Sequence, residues 1–499
     1  MAISYFKKKQ VDTSNELTVS QLRRRRLDDS APFKVTLKDQ EQSLLCEHIL
    51  RVLPGKRMVV LGTWQDKPVV AKLFYQPRKA KYHFEKEKMG VATLLSCRVP
   101  TPPLLYASVS NNKRIYVLIF ERIVETKSLH DIWQEQTDKS ILAPLMHAVV
   151  VELATQHVLG IVQRDMHFKN ILVTRKQLYT LDGANIVAIH RPLGKKASLD
   201  HLGLFFAQFG VGTDALQKTL FQSYAASRGW LVKQADTVYL QRCIKKYNRQ
   251  RWLHYQEKTT RNCSAFVKQR YGQFIFMYDR QHHSSSLLTL LKNPELAFIN
   301  QTENILKSGR SSTVAKILIN NKLMVIKRYN VKNTWHWLRR CFRKTRAAMG
   351  WRLAHLLSLF GITTAKPIAY IEKRLLGLHA TSYLLMEYIE GEHIGVHLTQ
   401  HQPDESSLTR LAERTVRLIR NLAALGVSHG DLKMTNILVQ RGWPVLIDLD
   451  GMQEHPHQRS LSRVYKKEIK RFMHNWQHFP SVYQLFEERF SEQISESFH

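Results

Sequence analysis

The spacing of apolar and polar residues changes along the first part of the chain. From Val52 to Phe74 apolar positions alternate with polar ones around Gly55 and Gly62, which predicts a meander of three β-strands. A helical spacing follows from about Tyr82 to Ser96, and the sequence Val99-Pro100-Thr101-Pro102 ends it. The first half of the chain is therefore predicted to begin with a small sheet and one helix.

The second half repeats this order. Gly272 to Tyr278 is an apolar strand, Met324 to Lys327 ends a further strand, and Ser460 to Phe490 has the spacing of two amphipathic helices. A repeat separated by about 260 residues indicates a duplicated domain rather than a solenoid. We predict an α+β protein with a basic, poorly ordered arm at 1–40 and two domains at 41–262 and 263–499.

One motif occurs once in each half. Asp165 is followed five positions later by Asn170, and Asp431 is followed in the same way by Asn436; a short apolar strand comes after each. A further Asp stands seventeen residues after the first in both copies, and these two residues are Asp182 and Asp448. A single such spacing can arise by chance, but two matched copies indicate a tandem protein-kinase-like fold.

Phosphoryl transfer to a hydroxyl explains why these residue types are spaced in this way. The reaction needs one carboxylate beside the hydroxyl, and a second carboxylate and an amide oxygen on Mg²⁺. Asp165 and Asp431 are the candidates for the first role. Asn170 with Asp182, and Asn436 with Asp448, are the candidate metal ligands.

Each predicted sheet also contains a strand that ends in a lysine. Lys72 lies near the end of the predicted strand Val69 to Phe74, and Lys327 lies at the end of the corresponding strand of the second half. Burying a lysine is costly without an anionic partner, and the phosphates of ATP would be one. Glu87 on the following helix is the preferred carboxylate partner of Lys72, with Glu85 in reserve.

Three further residues are predicted at the nucleotide site. Glu121 and Glu387 fall where the adenine-binding hinge of each copy is expected. Gly309 lies in a turn of small residues, 308–313, that would let backbone N–H groups approach phosphate, although an ordinary hairpin would have the same sequence.

The second copy departs from the first at one point. From Asn304 to Ile371 there is no Asp or Glu, while there are fourteen Lys and Arg. Gly350 and Trp351 stand where spacing predicts the helical Glu, so the activity of this copy is in question. The segment from Trp335 to Lys344 reads as a basic helix with aromatic residues, which suits an anionic membrane, nucleic acid or simple core packing.

Charge and the N-terminal sequence limit the partners and the location. The formal net charge is +34, with 75 Lys and Arg against 41 Asp and Glu, which predicts an anionic partner. The first nine residues lack the apolar core of a signal peptide, and no run of 18 apolar residues is present. We therefore expect a cytoplasmic protein, peripheral to a membrane.

Three features favour a small alcohol over a protein as the acceptor. The second loop reads His429-Gly430-Asp431, so it lacks the Arg that clamps a phosphorylated activation segment. Only about twenty residues separate Asp182 from the helix predicted at Leu199, and no Ala-Pro-Glu follows either metal Asp.

The sequence resembles the bacterial lipopolysaccharide kinases that phosphorylate heptose or Kdo sugars of the inner core. The resemblance covers nearly all of the chain beyond residue 45, as two copies. It is carried by these motifs: Val70-Ala71-Lys72, Val99-Pro100-Thr101-Pro102, both Asp-x4-Asn loops, Lys327-Arg328-Tyr329-Asn330, Arg346-Ala347-Ala348, Gly361-Ile362-Thr363-Thr364 and Ile447-Asp448-Leu449-Asp450.

The resemblance implies a Gram-negative enzyme at the inner membrane that uses ATP and Mg²⁺ on an anionic, lipid-linked glycan. It implies that Asp165 and Asp431 accept the sugar hydroxyl proton and that Lys433 adds charge near the γ-phosphate, where the first copy has His167. The alternatives are a kinase of protein or another small molecule, and a kinase-fold scaffold with one or both domains inactive. Nucleic acid as a partner is disfavoured but stays open.

Overall fold

A computed structural model describes residues 19–24, 32–38, 43–111, 114–299, 302–331, 341–399 and 404–496. Helices and antiparallel strands are both abundant, so the expected α+β class is confirmed. The chain divides into two compact units, residues 1–208 with 215–245 and residues 209–214 with 246–499. This division falls inside the helix Gln234–Lys258, ahead of the division after residue 262 that the sequence predicts.

The sheet of the first unit has six strands in the order β1-β2-β3-β4-β6-β5, and all neighbours are antiparallel. The predicted meander, Val52 to Phe74, contains β3 and β4 but only the last two residues of β2, so the prediction places the start of its first strand too late. Every second residue of β3 is buried, because alternate side chains of a strand point to opposite faces. The strands are β1 Phe33–Val35, β2 Leu44–Leu53, β3 Arg57–Trp64, β4 Lys67–Phe74, β5 Leu104–Val109 and β6 Tyr116–Glu121.

Part of the expected N-terminal arm belongs to this sheet and its core. Val19 and Leu22 on the helix Val19–Arg24, and Phe33 and Val35 on β1, are buried with the apolar residues of the sheet. The expectation of a poorly ordered arm at 1–40 is therefore wrong for these segments, because their apolar side chains are removed from water. The remainder of the arm lies outside the described residues.

The rest of the first unit is mainly helical. The helix Ala80–Ser96 packs beside the sheet, and the loop motif lies on three short antiparallel pairs, β8–β11, β9–β10 and β7–β9. The strands are β7 Lys127–Ser128, β8 Ile161–Gln163, β9 Ile171–Val173, β10 Leu178–Thr180 and β11 Ile186–Ala188. The helices are Leu129–Glu135, Ala143–Val158, Lys195–Phe206, Asp214–Ser227 and Gln234–Lys258.

One described helical stretch, Lys139–Val158, is long and apolar enough to cross a membrane by length and composition alone. Its buried face includes Met146, Val150 and Leu153, and its last turn carries the buried His157. These internal contacts fit the sequence interpretation of a core helix packed beneath the loop motif.

The sheet of the second unit has seven antiparallel strands in the order β12-β13-β17-β18-β16-β15-β14. One face packs on the helix Ser285–Lys292 and the other on the helix Arg346–Leu359. The strands are β12 Phe266–Tyr271, β13 Phe274–Asp279, β14 Ile305–Ser308, β15 Ser312–Ile319, β16 Lys322–Tyr329, β17 Pro367–Leu375 and β18 Leu378–Glu387.

The remainder of the second unit is again helical, with the second loop motif on short strands. Its core joins the predicted C-terminal helix pair, through Phe472 and Phe486, to the long amphipathic helix Glu405–Leu425. The strands are β19 Glu392–His393, β20 Val427–Ser428, β21 Ile437–Gln440, β22 Trp443–Leu446 and β23 Gln453–Glu454. The helices are Ile394–Thr399, Glu405–Leu425, Gln458–His474 and Pro480–Glu496.

The basic aromatic segment expected at Trp335 to Lys344 falls mostly outside the described residues, which exclude 332–340. Its function as a membrane or nucleic-acid contact stays a prediction.

Candidate active sites

In the first unit, Lys72 meets the carboxylate that the sequence predicts. Lys72 on β4 donates to the Glu87 carboxylate, and Glu87 is fully buried on the helix Ala80–Ser96. Lys72 Nζ also lies 3.8 Å from Asp182 Oδ1. Lys72, Glu87 and Asp182 therefore form one charged cluster.

Glu87 is held by two backbone groups as well as by the lysine. Gly183 N donates to Glu87 Oε1 at 3.1 Å, and Ala184 N donates to Oε2 at 3.2 Å. Burial raises the pKa of Glu87, and the charge of Lys72 opposes that rise. A carboxylate with three donors ties the helix to the segment after Asp182.

The Asp182 side chain is poised as an acceptor. Burial, the largest single effect, would raise its pKa, but Lys72 together with the other charged neighbours of Asp182 outweighs burial, and the pKa of Asp182 is lowered. Its Oδ1 has no hydrogen-bond partner among the described residues, although Lys72 and Arg57 lie within 4 Å. A buried, ionised oxygen of this kind fits a hard cation such as Mg²⁺.

The first loop motif is fixed next to Asp182 by its backbone. Leu181 N donates to Asn170 O at 2.8 Å, and Asn170 Nδ2 donates to Asp165 O at 2.9 Å. The amide nitrogen of Asn170 is thereby engaged, and its oxygen is the atom that could bind a cation. Asp165 is exposed, as a group that receives a proton from a bound alcohol must be.

Gln163 takes the place of the histidine that usually precedes the Arg-Asp pair of this loop. Gln163 Nε2 donates to Leu181 O at 2.6 Å, and in the second unit His429 Nε2 lies 3.0 Å from Ile447 O, where it donates. Both side chains therefore join the loop motif to the residue before Asp182 or Asp448. Gln163 therefore makes the hydrogen bond to the backbone that His429 makes in the second unit.

The second loop motif has the same backbone arrangement. Ile447 N donates to Asn436 O at 3.0 Å, and Asn436 Nδ2 donates to Asp431 O at 2.8 Å. Lys433 Nζ lies 2.9 Å from Asp431 Oδ2, and Arg471 NH1 lies 3.8 Å from Oδ1. The hydrogen bond from Lys433 is the main reason that the pKa of Asp431 is lowered.

Glu468 on the helix Gln458–His474 was not singled out from the sequence. Its carboxylate accepts from His429 N at 3.1 Å and also from Gly430 N. This buried acid holds the loop motif on the helical part of the unit. No motif marks it, because the contact joins residues 39 positions apart.

Lys327 has a different set of partners from Lys72. Its Nζ lies 2.6 Å from Asp448 Oδ1 and 2.7 Å from Asp450 Oδ2. The helix Arg346–Leu359 supplies no acid, as its sequence predicts, so a residue two positions after Asp448 provides the second carboxylate. Asp450 belongs to the motif Ile447-Asp448-Leu449-Asp450, but the motif does not indicate its partner.

The predicted hinge and turn residues occupy the expected elements. Glu121 ends β6 and is exposed, while Glu387 ends β18 and is half-buried. Their backbone N–H groups donate to Pro103 O and Lys366 O. Gly309 lies between β14 and β15, where its N donates to Ser312 O at 3.1 Å. Contact of these residues with a nucleotide stays a prediction.

Residues 298–483 match the lipopolysaccharide kinase (Kdo/WaaP) family. The resemblance that the motifs indicate is confirmed for this part of the chain, which contains Lys327, Asp431, Asn436 and Asp448. The match to the lipopolysaccharide kinase (Kdo/WaaP) family supports phosphotransferase activity with ATP. The matched residues include only one of the two predicted copies, so the assignment of the first copy stays a prediction. A comparison with curated proteins finds no match.

Proposed function

We propose that the protein is an ATP-dependent kinase that phosphorylates a sugar hydroxyl, of heptose or Kdo, in the lipopolysaccharide inner core. The observation that carries the proposal is the combination, in the second unit, of the family match and the arrangement of the lysine and loop residues. The residues that match a lipopolysaccharide kinase family also place Lys327 at 2.6 Å from Asp448 and tie Asn436 to Asp431.

Each group has a chemical task in this reaction. Asp431 lies beside the acceptor and takes the proton of the attacking sugar hydroxyl, and Lys327 orients the phosphates of ATP. Asp448 and Asn436 supply the oxygen ligands that would hold Mg²⁺, and the ion would neutralise charge on the phosphates when bound. Lys433 adds positive charge next to Asp431.

The backbone at Gly430 supports a small acceptor rather than a protein. Gly430 has a φ of +81°, and a Cβ at this position would lie 2.2 Å from Gly451 O. The arginine that binds a phosphorylated activation segment in protein kinases therefore has no room here. A sugar kinase does not need that arginine.

The same chemistry is proposed for the first unit through Asp165, Asn170, Asp182 and Lys72. Its ion pair between Lys72 and Glu87 has the arrangement expected of a nucleotide site. We place the protein on the cytoplasmic side of a Gram-negative inner membrane, where ATP and a lipid-linked acceptor would both be accessible.

The test is transfer of labelled γ-phosphate from ATP to dephosphorylated inner-core lipopolysaccharide by the full chain. In a chain whose first unit is silenced by Asp165→Asn, Asp431→Asn should reduce the remaining transfer by at least about 100-fold, since removal of a general base has effects of this size. Asp165→Asn reports on the first unit in the same assay. Glu487→Gln, an exposed carboxylate on the helix Pro480–Glu496, is the matched control and should not change the rate.

The outcomes separate the parts of the proposal. Loss of transfer in one Asp→Asn variant alone names the unit that works. Full activity in both variants would contradict the assignment of the loop aspartates. Wild-type protein that binds ATP but phosphorylates no core sugar would contradict the acceptor.

A further inference from the structure

The two units place a carboxylate next to the strand lysine in different ways. In the first unit the acid is Glu87, eleven residues before Arg98, which has a φ of +57° just after its helix. Gly350 stands eleven residues before Gly361, which has a φ of +79° just after the corresponding helix. Gly350 therefore occupies the position of Glu87.

The missing helical acid is matched by an acid on the segment that follows Asp448. Asp450 follows Asp448 by two residues, as Ala184 follows Asp182. In the first unit this position gives only its backbone N–H, which donates to Glu87. In the second unit it gives a carboxylate, which lies 2.7 Å from Lys327 Nζ.

Two side chains that contact Asp450 also differ between the two units. Tyr329 stands two residues after Lys327, where the first unit has Phe74 two residues after Lys72. The added hydroxyl donates to Asp450 Oδ1 at 2.7 Å. Arg346 donates to Asp450 Oδ2 at 2.6 Å. Arg346 stands fifteen residues before Gly361, and the residue fifteen positions before Arg98 in the first unit is His83.

The side chains around Gly350 explain why no glutamate stands at this position. A Cβ on Gly350 would lie 2.8 Å from Leu384 Cδ2 and 3.6 Å from the Tyr329 hydroxyl. The space that a glutamate side chain would need is thus next to the hydroxyl that holds Asp450. The four differences, at 329, 346, 350 and 450, form one consistent set.

Arg346 also connects Asp450 to the turn of small residues at 308–313. Its NH1 donates to Ser311 O at 3.2 Å, while its NH2 binds Asp450. Asn330 Nδ2 donates to Gly309 O at 3.0 Å on the same turn. The turn, Asp450 and Lys327 are therefore joined through one guanidinium group.

We propose that Asp450 is the positioning residue for Lys327 and makes the second unit a complete nucleotide site without a helical glutamate. The lysine partner is supplied by the segment that follows the metal Asp, and Arg346 and Tyr329 hold it in place. This inference rests on the proposed function, since it assumes that Lys327 binds the phosphates of ATP.

The experiment measures binding of a fluorescent trinitrophenyl-ATP with Mg²⁺ to the full chain carrying Lys72→Met, which leaves the second unit as the site measured. Asp450→Asn should weaken binding by at least about tenfold, because one partner of a half-buried charge pair is lost. Asp450→Glu should recover most of the affinity. Tyr329→Phe, the residue type of the first unit, keeps the side-chain shape and should weaken binding by about threefold, as expected for one lost hydrogen bond.

Glu454→Gln is the matched control, because Glu454 pairs with Arg352 between the same two parts of the unit. It should leave binding unchanged. A double-mutant cycle with Lys327→Met distinguishes positioning from folding. If Asp450 acts through Lys327, then Asp450→Asn weakens binding no further once Lys327 is methionine; a further loss of similar size would show a structural role and overturn the proposal.

Two other results would also overturn it: equal affinities for Asp450→Asn and Glu454→Gln, or no nucleotide binding by the Lys72→Met chain. Transfer to a core sugar is measured separately. A chain that binds nucleotide through Lys327 and Asp450 but phosphorylates no lipopolysaccharide would refute the proposed acceptor and still support the function of Asp450.

Discussion

At the scale of single residues, a carboxylate in each unit ties the strand lysine to the segment around Asp182 or Asp448. Glu87 could be predicted from the sequence because it stands on the helix that follows the strand of Lys72. Asp450 could not be assigned in this way, since its contact with Lys327 joins residues more than 120 positions apart. A motif shows which residues are present, but a long-range ion pair depends on the packing of separate elements.

Replacing Glu87 by Gln should destabilise the first unit. The fully buried Glu87 carboxylate receives hydrogen bonds from Lys72, Gly183 N and Ala184 N, and a glutamine has only one acceptor oxygen. At least one buried donor then loses its partner, at a cost of about 1–3 kcal/mol. The change can be measured as the free energy of opening from hydrogen exchange of peptides within Ala80–Ser96.

Glu135→Gln is the control for this variant. Its partner Lys127 and Glu135 itself are more than half exposed, and an exposed ion pair contributes about 0–1 kcal/mol. Equal protection of Ala80–Ser96 in the two variants would show that the buried hydrogen bonds of Glu87 do not stabilise the unit.

At the scale of elements, a buried chain of hydrogen bonds holds the first loop motif on the helices. Arg228 NH1 donates to the Tyr224 hydroxyl at 3.0 Å, and that hydroxyl lies 2.6 Å from His157 Nδ1. His157 Nε2 lies 2.8 Å from His201 Nδ1, and His201 Nε2 lies 2.8 Å from Gln163 O. With both imidazoles neutral, each ring nitrogen either donates or accepts one hydrogen bond. The series of hydrogen bonds ends at Gln163 O in the loop motif.

The sequence predicted the helix that carries His157 but not this network. Its apolar residues indicate a core helix, and a histidine on it has no distinguishing signal. The partners come from two other helices, 44 and 67 positions away, so only the packing brings them together.

The network should make the first unit sensitive to acid. Burial lowers the pKa of His157 to about 2, whereas an unfolded histidine titrates near 6.5. Below about pH 6.5 the unfolded chain therefore binds a proton that the folded chain does not. The free energy of unfolding should fall by about 1.4 kcal/mol per pH unit for this residue, and its full contribution is present above that pH.

His157→Gln should remove this part of the pH dependence, since glutamine can both donate and accept but does not titrate. Hydrogen exchange of Ala143–Val158, compared at several pH values between about 7.5 and 5, gives the difference in slope expected from one proton. His147→Gln changes an exposed histidine of the same helix and should keep the wild-type slope. If both variants keep that slope, the buried imidazole is not the acid-sensitive group.

At the scale of the whole molecule, the excess of 34 positive charges is the property that the sequence reports most directly. It predicts attraction to an anionic surface, and a lipid-linked acceptor would hold the enzyme at such a surface. Attraction between exposed charges is screened by salt, so the proposed function leads to a specific expectation. Association with vesicles containing anionic phospholipid should weaken by at least about tenfold as salt rises from about 50 to 200 mM, because each basic residue near the surface contributes about 1 kcal/mol.

Cosedimentation with vesicles of anionic and of zwitterionic phospholipid measures this association, with a single-stranded RNA as the competing polyanion. Binding to anionic vesicles that RNA does not displace is expected for an enzyme of a membrane-bound glycan. Binding that is independent of salt would contradict an electrostatic origin. A stronger, salt-sensitive preference for RNA would instead favour a nucleic-acid partner, because release of counterions from phosphates drives that interaction. The charge is read from composition, but its arrangement over the folded surface decides between these partners.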